Sequence, residues 1–164
     1  MDLKIYSLED LLLTAMKAES EAKNLYSKLS NRVKNFLLKD RLNFLSNEEA
    51  KHQRFFEYLF QQDFPDKPFT LIAKSPVPLP KVNIDSEGIP ISKILEEAMQ
   101  AEKAAYDFYI GISEHFEKKP DIKKMLHYIA SMEMGHFRII EIEKENAEKF
   151  EGYNMDYPLM HVGP

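Results

Sequence analysis

Two four-residue strings stand out for their chemistry: Glu49-Ala-Lys-His52 and Glu133-Met-Gly-His136. On a helix, residues three apart share a face about one turn apart, so a carboxylate and an imidazole at this spacing can converge on one centre. Those two groups together suit a divalent transition metal. A single such pair is most often a surface feature. Here, of five histidines, only His52 and His136 have a glutamate three residues before them. His115, His127 and His161 lack that context and read as surface or packing residues.

The two pairs lie in repeat-related places. At −7, −4 and +7 from Glu49 stand Leu42, Leu45 and Phe56, and from Glu133 stand Leu126, Ile129 and Ile140. Two earlier segments repeat in the same manner. Around Glu19 the stripe is Leu8, Leu12, Ala15, Ala22, Tyr26 and Leu29; around Glu102 it is Ile91, Leu95, Ala98, Ala105, Tyr109 and Ile112. Steps of three and four trace one helix face, and both glutamates lie on it. A lone glutamate in such a seam is often a rim residue whose stem lies along the core. The joint register of all six residues points instead to one buried constellation.

Four carboxylates buried together repel one another and pay for desolvation. Two doubly charged cations would neutralise them, with one imidazole completing each ion. One Glu from each of two helices, with Glu-x-x-His from each of two others, is the pattern by which helical bundles hold pairs of iron or manganese ions. The expected metal residues are therefore Glu19, Glu49, His52, Glu102, Glu133 and His136. Tyr26 and Tyr109 lie two turns beyond Glu19 and Glu102. They are either core aromatics with a satisfied hydroxyl or donors to metal-bound carboxylates, with redox-active phenols a further role. Ala22 and Ala105 leave room for ions and a small ligand.

Four long helices must position these groups. Their expected spans are about 7–30, 36–62, 91–117 and 120–150, with an irregular tail at 152–164. Ser7 and Asp10 resemble a capping box, and Pro120 suits a first helical position. The segment 63–90 carries six of the nine prolines, so it cannot be a continuous helix. Helices of about 25 residues span about 37 Å, which an extended link of that length can retrace. The expectation is an all-α, single-domain antiparallel four-helix bundle over 1–164, two hairpins joined by a long crossover. The crossover is long for a structureless loop, so part of it is expected to pack against the bundle or a neighbouring subunit, and its Phe69, Leu71, Ile72, Val77 and Leu79 point to a homodimer.

Composition narrows the function classes. The chain has 164 residues, a net charge of −5 with both signs interspersed, and no cysteine. There is no broad cationic footprint for nucleic acid. Disulfides, Cys-ligated zinc, iron–sulfur clusters and thiol nucleophiles are excluded within it. The start "MDLKIYSLEDLLL" has too short an apolar run for a signal peptide or membrane span, so the expected location is cytoplasmic.

"AMKAESEAKNLY" with "EEAKH", then "AMQAEKAAYDFY" with "MEMGH", resembles the rubrerythrin-like branch of the ferritin-like superfamily. The resemblance covers about residues 7–147, excluding the crossover. It implies two iron ions, with Glu19 and Glu102 as terminal ligands, Glu49 and Glu133 as bridges, and His52 and His136 on one iron each. Tyr26 and Tyr109 match the family's tyrosines near the site. Two departures stand out. The family usually carries a further carboxylate three residues after the third-helix glutamate, where this chain has Ala105, and usually a Cys-ligated rubredoxin module. The expectation is thus a di-iron oxidoreductase that reduces hydrogen peroxide or dioxygen with electrons from a separate donor protein. Alternatives are a ferroxidase serving iron storage or detoxification, a di-manganese catalase (or a mixed Fe/Mn centre), and a non-catalytic helical interaction protein.

Overall fold

The computed structural model describes residues 3–68, 70–84 and 88–156. Four helices dominate: α1 (Leu8–Arg32), α2 (Phe36–Asp63), α3 (Ile91–Ser113) and α4 (Pro120–Asp156), and no strand occurs among the described residues. Each boundary has a local cause. Ser7 opens α1 with the reciprocal capping box: its hydroxyl accepts from the Asp10 N–H at 3.1 Å, and Asp10 accepts from the Ser7 N–H at 3.3 Å. Asn35 caps α2 by accepting from the Leu38 N–H. α3 ends in a tight 3-10 turn, Glu114–Phe116, so the stretch expected to be one helix to 117 changes its winding at Glu114.

α4 is longer than the sequence suggests, running through Gly152 to Asp156 rather than turning irregular there. One glycine inside a helix costs only about 1 kcal/mol. The extension is anchored, because Glu151 accepts from both the backbone N–H and the hydroxyl of Ser92 at the start of α3. It thereby satisfies a donor that Pro90, which makes no side-chain cap, leaves open. The rest of the expected tail, His161 included, lies outside the described residues.

α1 packs along α2, and α3 along α4, whereas α1 and α3 touch sparsely, as do α2 and α4. Contacts across the halves run in opposite senses. Tyr26 meets Glu102 while Tyr109 meets Glu19, so α1 and α3 are antiparallel. His52 meets Glu133 while His136 meets Glu49, so α2 and α4 are antiparallel too. The two hairpins are thus related by a pseudo-twofold axis, as the sequence repeat requires. The core forms two apolar clusters. One gathers around Leu12, Met16, Phe56, Tyr109 and Leu126; the other around Leu29, Leu42, Leu45, Leu95 and Ile140.

The crossover runs along α1 in the same direction. Ser75 lies 3.0 Å from the Thr14 hydroxyl, and Arg32 donates to the Ile84 carbonyl at 2.6 Å. On the other side the Asn83 N–H donates to Glu97 of α3. Val77 is fully buried and Leu79 packs beside it on the first cluster. These two need no second subunit to cover them, although Leu71 stays exposed and Phe69 lies outside the described residues. Gly88, at φ +84°, turns the chain into α3 in a conformation that a side chain would strain.

Burial along α2 sets an expected contrast. Leu42 is 1% exposed and Leu37 is 69% exposed. Leu42→Ala should lower unfolding free energy by about 2–5 kcal/mol. Leu37→Ala should change it by no more than about 0.5 kcal/mol. Denaturant titration of both variants checks this, and equal effects would contradict the packing described.

Candidate metal centre

All six residues singled out from the sequence meet between the two apolar clusters, each no more than 3% exposed. α1 supplies Glu19, α2 supplies Glu49 and His52, α3 supplies Glu102, and α4 supplies Glu133 and His136. Glu49, His52, Glu133 and His136 each offer one ligand atom within 4.8 Å of the others.

The distances come in mirror pairs. His52 Nδ1 lies 2.8 Å from Glu133 Oε1, 3.3 Å from Glu49 Oε2 and 3.7 Å from Glu19 Oε2. His136 Nδ1 lies 2.9 Å from Glu49 Oε1, 3.4 Å from Glu133 Oε2 and 3.8 Å from Glu102 Oε2. The two rings face each other with centroids 5.5 Å apart. Each of Glu49 and Glu133 therefore turns one oxygen towards each imidazole, whereas Glu19 and Glu102 each approach one imidazole only. That is the layout of two centres with two shared carboxylates and one private carboxylate apiece.

These close approaches are not ordinary hydrogen bonds. Both oxygens of Glu49, Glu133 Oε1, and the Nδ1 atoms of His52 and His136 are buried without a hydrogen-bond partner despite lying at ion-pair distance. Orphaned buried polar atoms are rare and call for an explanation. Atoms aimed at shared points between them, where cations would sit, supply one, and the donor set of carboxylates and imidazoles suits iron or manganese.

Tyr26 and Tyr109 are buried in the two apolar clusters, with their hydroxyls satisfied by carboxylates of the site. The Tyr26 hydroxyl donates to Glu102 Oε1 and the Tyr109 hydroxyl to Glu19 Oε1. Each fixes the carboxylate of the opposite hairpin, leaving its Oε2 for the centre. Burial, with the facing carboxylate, raises both phenols well above their ordinary range, so they stay protonated donors. They touch the glutamates rather than the convergence points. Phe56 packs on Tyr109 with ring centroids 4.8 Å apart. His127 sits 3.0 Å from the Ser113 hydroxyl near the α3–α4 turn, and His115 is exposed, so neither joins the centre.

Without metal the cluster balances its charge with protons. Burial, then the charge of Glu49, raises Glu19 to about 8. Burial, then Glu49 and Glu133, raises Glu102 well above the carboxylate range. For Glu49 and Glu133 burial acts upward, but the two imidazoles outweigh it and hold both below the ordinary value. Burial disfavours the charged rings, yet the carboxylates around them prevail, raising His136 to about 10 and His52 further still. These shifts all run towards a neutral cluster, with protons favoured on the private carboxyls and on the imidazoles and disfavoured on the shared carboxylates.

One wall of the site was not legible in the sequence. A cavity of about 860 Å³ reaches Glu19, Glu49, Glu102 and Glu133 from the α1–α3 side, roofed by crossover residues 74–82. Neither histidine lines it. An extended segment without periodicity carries no signal of what it covers.

The fold and this centre define a helical metal-site protein of the ferritin-like type. The model of the family described as Rubrerythrin matches residues 10–144, and the chain belongs to that family. A solved structure of a hypothetical protein from Pyrococcus furiosus is similar, with 30% identity and a TM-score of 0.81, covering 91% of this chain and 95% of the other. Among curated proteins none matches the chain. The family and the buried Glu/His cluster together indicate a di-iron type of site. Among the described residues no helix is long and apolar enough to cross a membrane.

Metal uptake should exchange protons for cations. Ligands bind deprotonated, so two divalent ions should release about four protons per chain at pH 7, one each from Glu19, Glu102, His52 and His136. Because His136 holds its proton up to about 10, affinity should keep rising with pH through neutrality. A pH-stat titration of the metal-free chain reads the number directly; release of one proton or none would contradict this balance.

Proposed function

We propose that the chain holds two iron ions and reduces hydrogen peroxide or dioxygen, with electrons returned by a donor protein separate from these 164 residues. The observation that carries this reading is the pair of mirror-related centres sharing Glu49 and Glu133. In it, Glu19 and His52 complete one centre, and Glu102 and His136 the other. Held there as a ferrous pair, two irons would supply the two electrons that, with two protons, convert one hydrogen peroxide to two waters.

The chain's own residues prepare that step. Four carboxylates cancel the charge of two divalent ions, so the loaded centre can remain in a dry interior. Tyr26 and Tyr109 hold Glu102 and Glu19 against swinging away. Ala22 and Ala105 line the cavity beside the carboxylates and leave space for a small oxidant. A further carboxylate at Ala105 would fill that space and unbalance the two centres. The equal donor sets that result also suit manganese, which makes disproportionation of peroxide by a di-manganese form the second reading.

Stopped-flow mixing of the ferrous-loaded chain with peroxide tests the proposal. Oxidation should be at least about tenfold faster than in Glu49→Ala, which should retain less than two irons. Equal rates in the two proteins would refute it. Peroxide consumption without a reductant by the manganese-loaded form alone would favour the second reading. Binding of many irons per chain would instead indicate storage.

A further inference from the structure

α4 carries an apolar face that the described residues leave uncovered. Tyr128, Gly135 and Ile142 stand at seven-residue intervals, so they share one line along the helix. All three are exposed, Tyr128 by 60% and Ile142 by 50%. Met132 and Ile139, about a turn to either side of Gly135, lie half-buried beside that line. On α2, Leu37, Arg41 and Phe44 share one face, and Arg41 pairs with Glu143 of α4. The exposed Leu37 and Phe44 therefore flank the C-terminal half of α4.

Gly135 stands at the centre of this face. Inside a helix glycine is less favourable than any residue but proline. A Cβ at 135 would meet nothing within 4 Å among the described residues, so internal packing does not call for glycine there. Close approach of a second backbone does. Charge along α4 indicates which backbone. Residues 118–124 hold four lysines and one aspartate, a net +3, whereas residues 141–151 hold five glutamates and two lysines, a net −3. Two copies of α4 laid antiparallel about Gly135 set each basic end on an acidic one; a parallel pair would set like ends together. The antiparallel register also places Tyr128 against the partner's Ile142 and Asp121 against the partner's Lys149, since the members of each pair are equidistant from residue 135. The area is sufficient. Tyr128, Ile142, Met125, Leu37 and Phe44, each about half exposed, present roughly 500 Å² of apolar surface at about 200 Å² for a whole side chain. A standard interface of about 800 Å² per partner, somewhat over half of it apolar, needs about that much.

We propose that the chain forms a twofold dimer through α4, two copies crossing antiparallel at Gly135 with Leu37 and Phe44 of α2 at the flanks. In such an interface each contact occurs twice, so one self-complementary stripe serves both partners. The contact lies on the α2–α4 side, away from the crossover, and does not involve the metals or their reaction.

Sedimentation of the intact chain over a range of concentrations tests this. A species of twice the 19.2 kDa chain should form, with a Kd tighter than about 10 μM. Ile142→Glu, at an exposed position, should weaken association at least about a hundredfold with helix content unchanged. Gly135→Gln should weaken it by about tenfold or more while leaving the helix of the monomer intact. Asp121→Lys and Lys149→Asp should each weaken it about threefold, and the two together should restore it. The chain has no cysteine of its own, so Gly135→Cys should oxidise to a disulfide-linked dimer, residue 135 meeting its own copy on the axis. A chain still monomeric at about 0.1 mM leaves the face to some other protein and overturns the proposal. So does a dimer indifferent to Ile142→Glu and Gly135→Gln, or one without charge-swap rescue and without the crosslink at 135.

Discussion

The structure depends on keeping six ionisable side chains electrically neutral inside an apolar bundle. Buried charge without a partner is among the costliest features a fold can carry. Here neutrality is available in two forms. With protons, Glu49 and Glu133 are ionised against two imidazoliums while Glu19 and Glu102 are neutral. With two divalent ions, all four carboxylates are ionised and both rings are neutral. The same six side chains satisfy both conditions.

Reciprocity across the pseudo-twofold axis makes this possible. Each hairpin provides a Glu-x-x-His pair, yet the closest carboxylate to each imidazole comes from the other hairpin. The tyrosine of each hairpin likewise orients the private glutamate of its counterpart. Neither half holds a complete centre. The hairpins touch sparsely between α1 and α3, and the space left there is the cavity, with alanines where larger side chains would close it.

Much of this was legible in the sequence because it is periodic. A stripe of apolar residues with one glutamate in register says both where the core lies and that the carboxylate is in it. Repetition of Glu-x-x-His in equivalent places removed the ambiguity of either copy alone. Helix ends were less legible. The extension of α4 past Gly152 depends on Glu151 reaching Ser92, a contact 59 residues distant in the chain. The crossover was least legible. Its length and apolar residues pointed to packing on the bundle or on a second subunit without saying which residues turn inward; Val77 and Leu79 do, roofing the molecule's own cavity, because an extended chain has no period that tells inside from outside.

That roof breaks the symmetry on which the centre is built. The crossover passes once, over α1 and α3, and the cavity beneath it touches the carboxylates but neither histidine. On the opposite side, α2 and α4 are joined by the Arg41–Glu143 ion pair at 2.9 Å. The centre therefore has a front and a back. The cavity meets the centre on the face of the glutamates and tyrosines, while the imidazoles lie away from it. The two donor sets are alike, so what distinguishes their surroundings is the strap overhead.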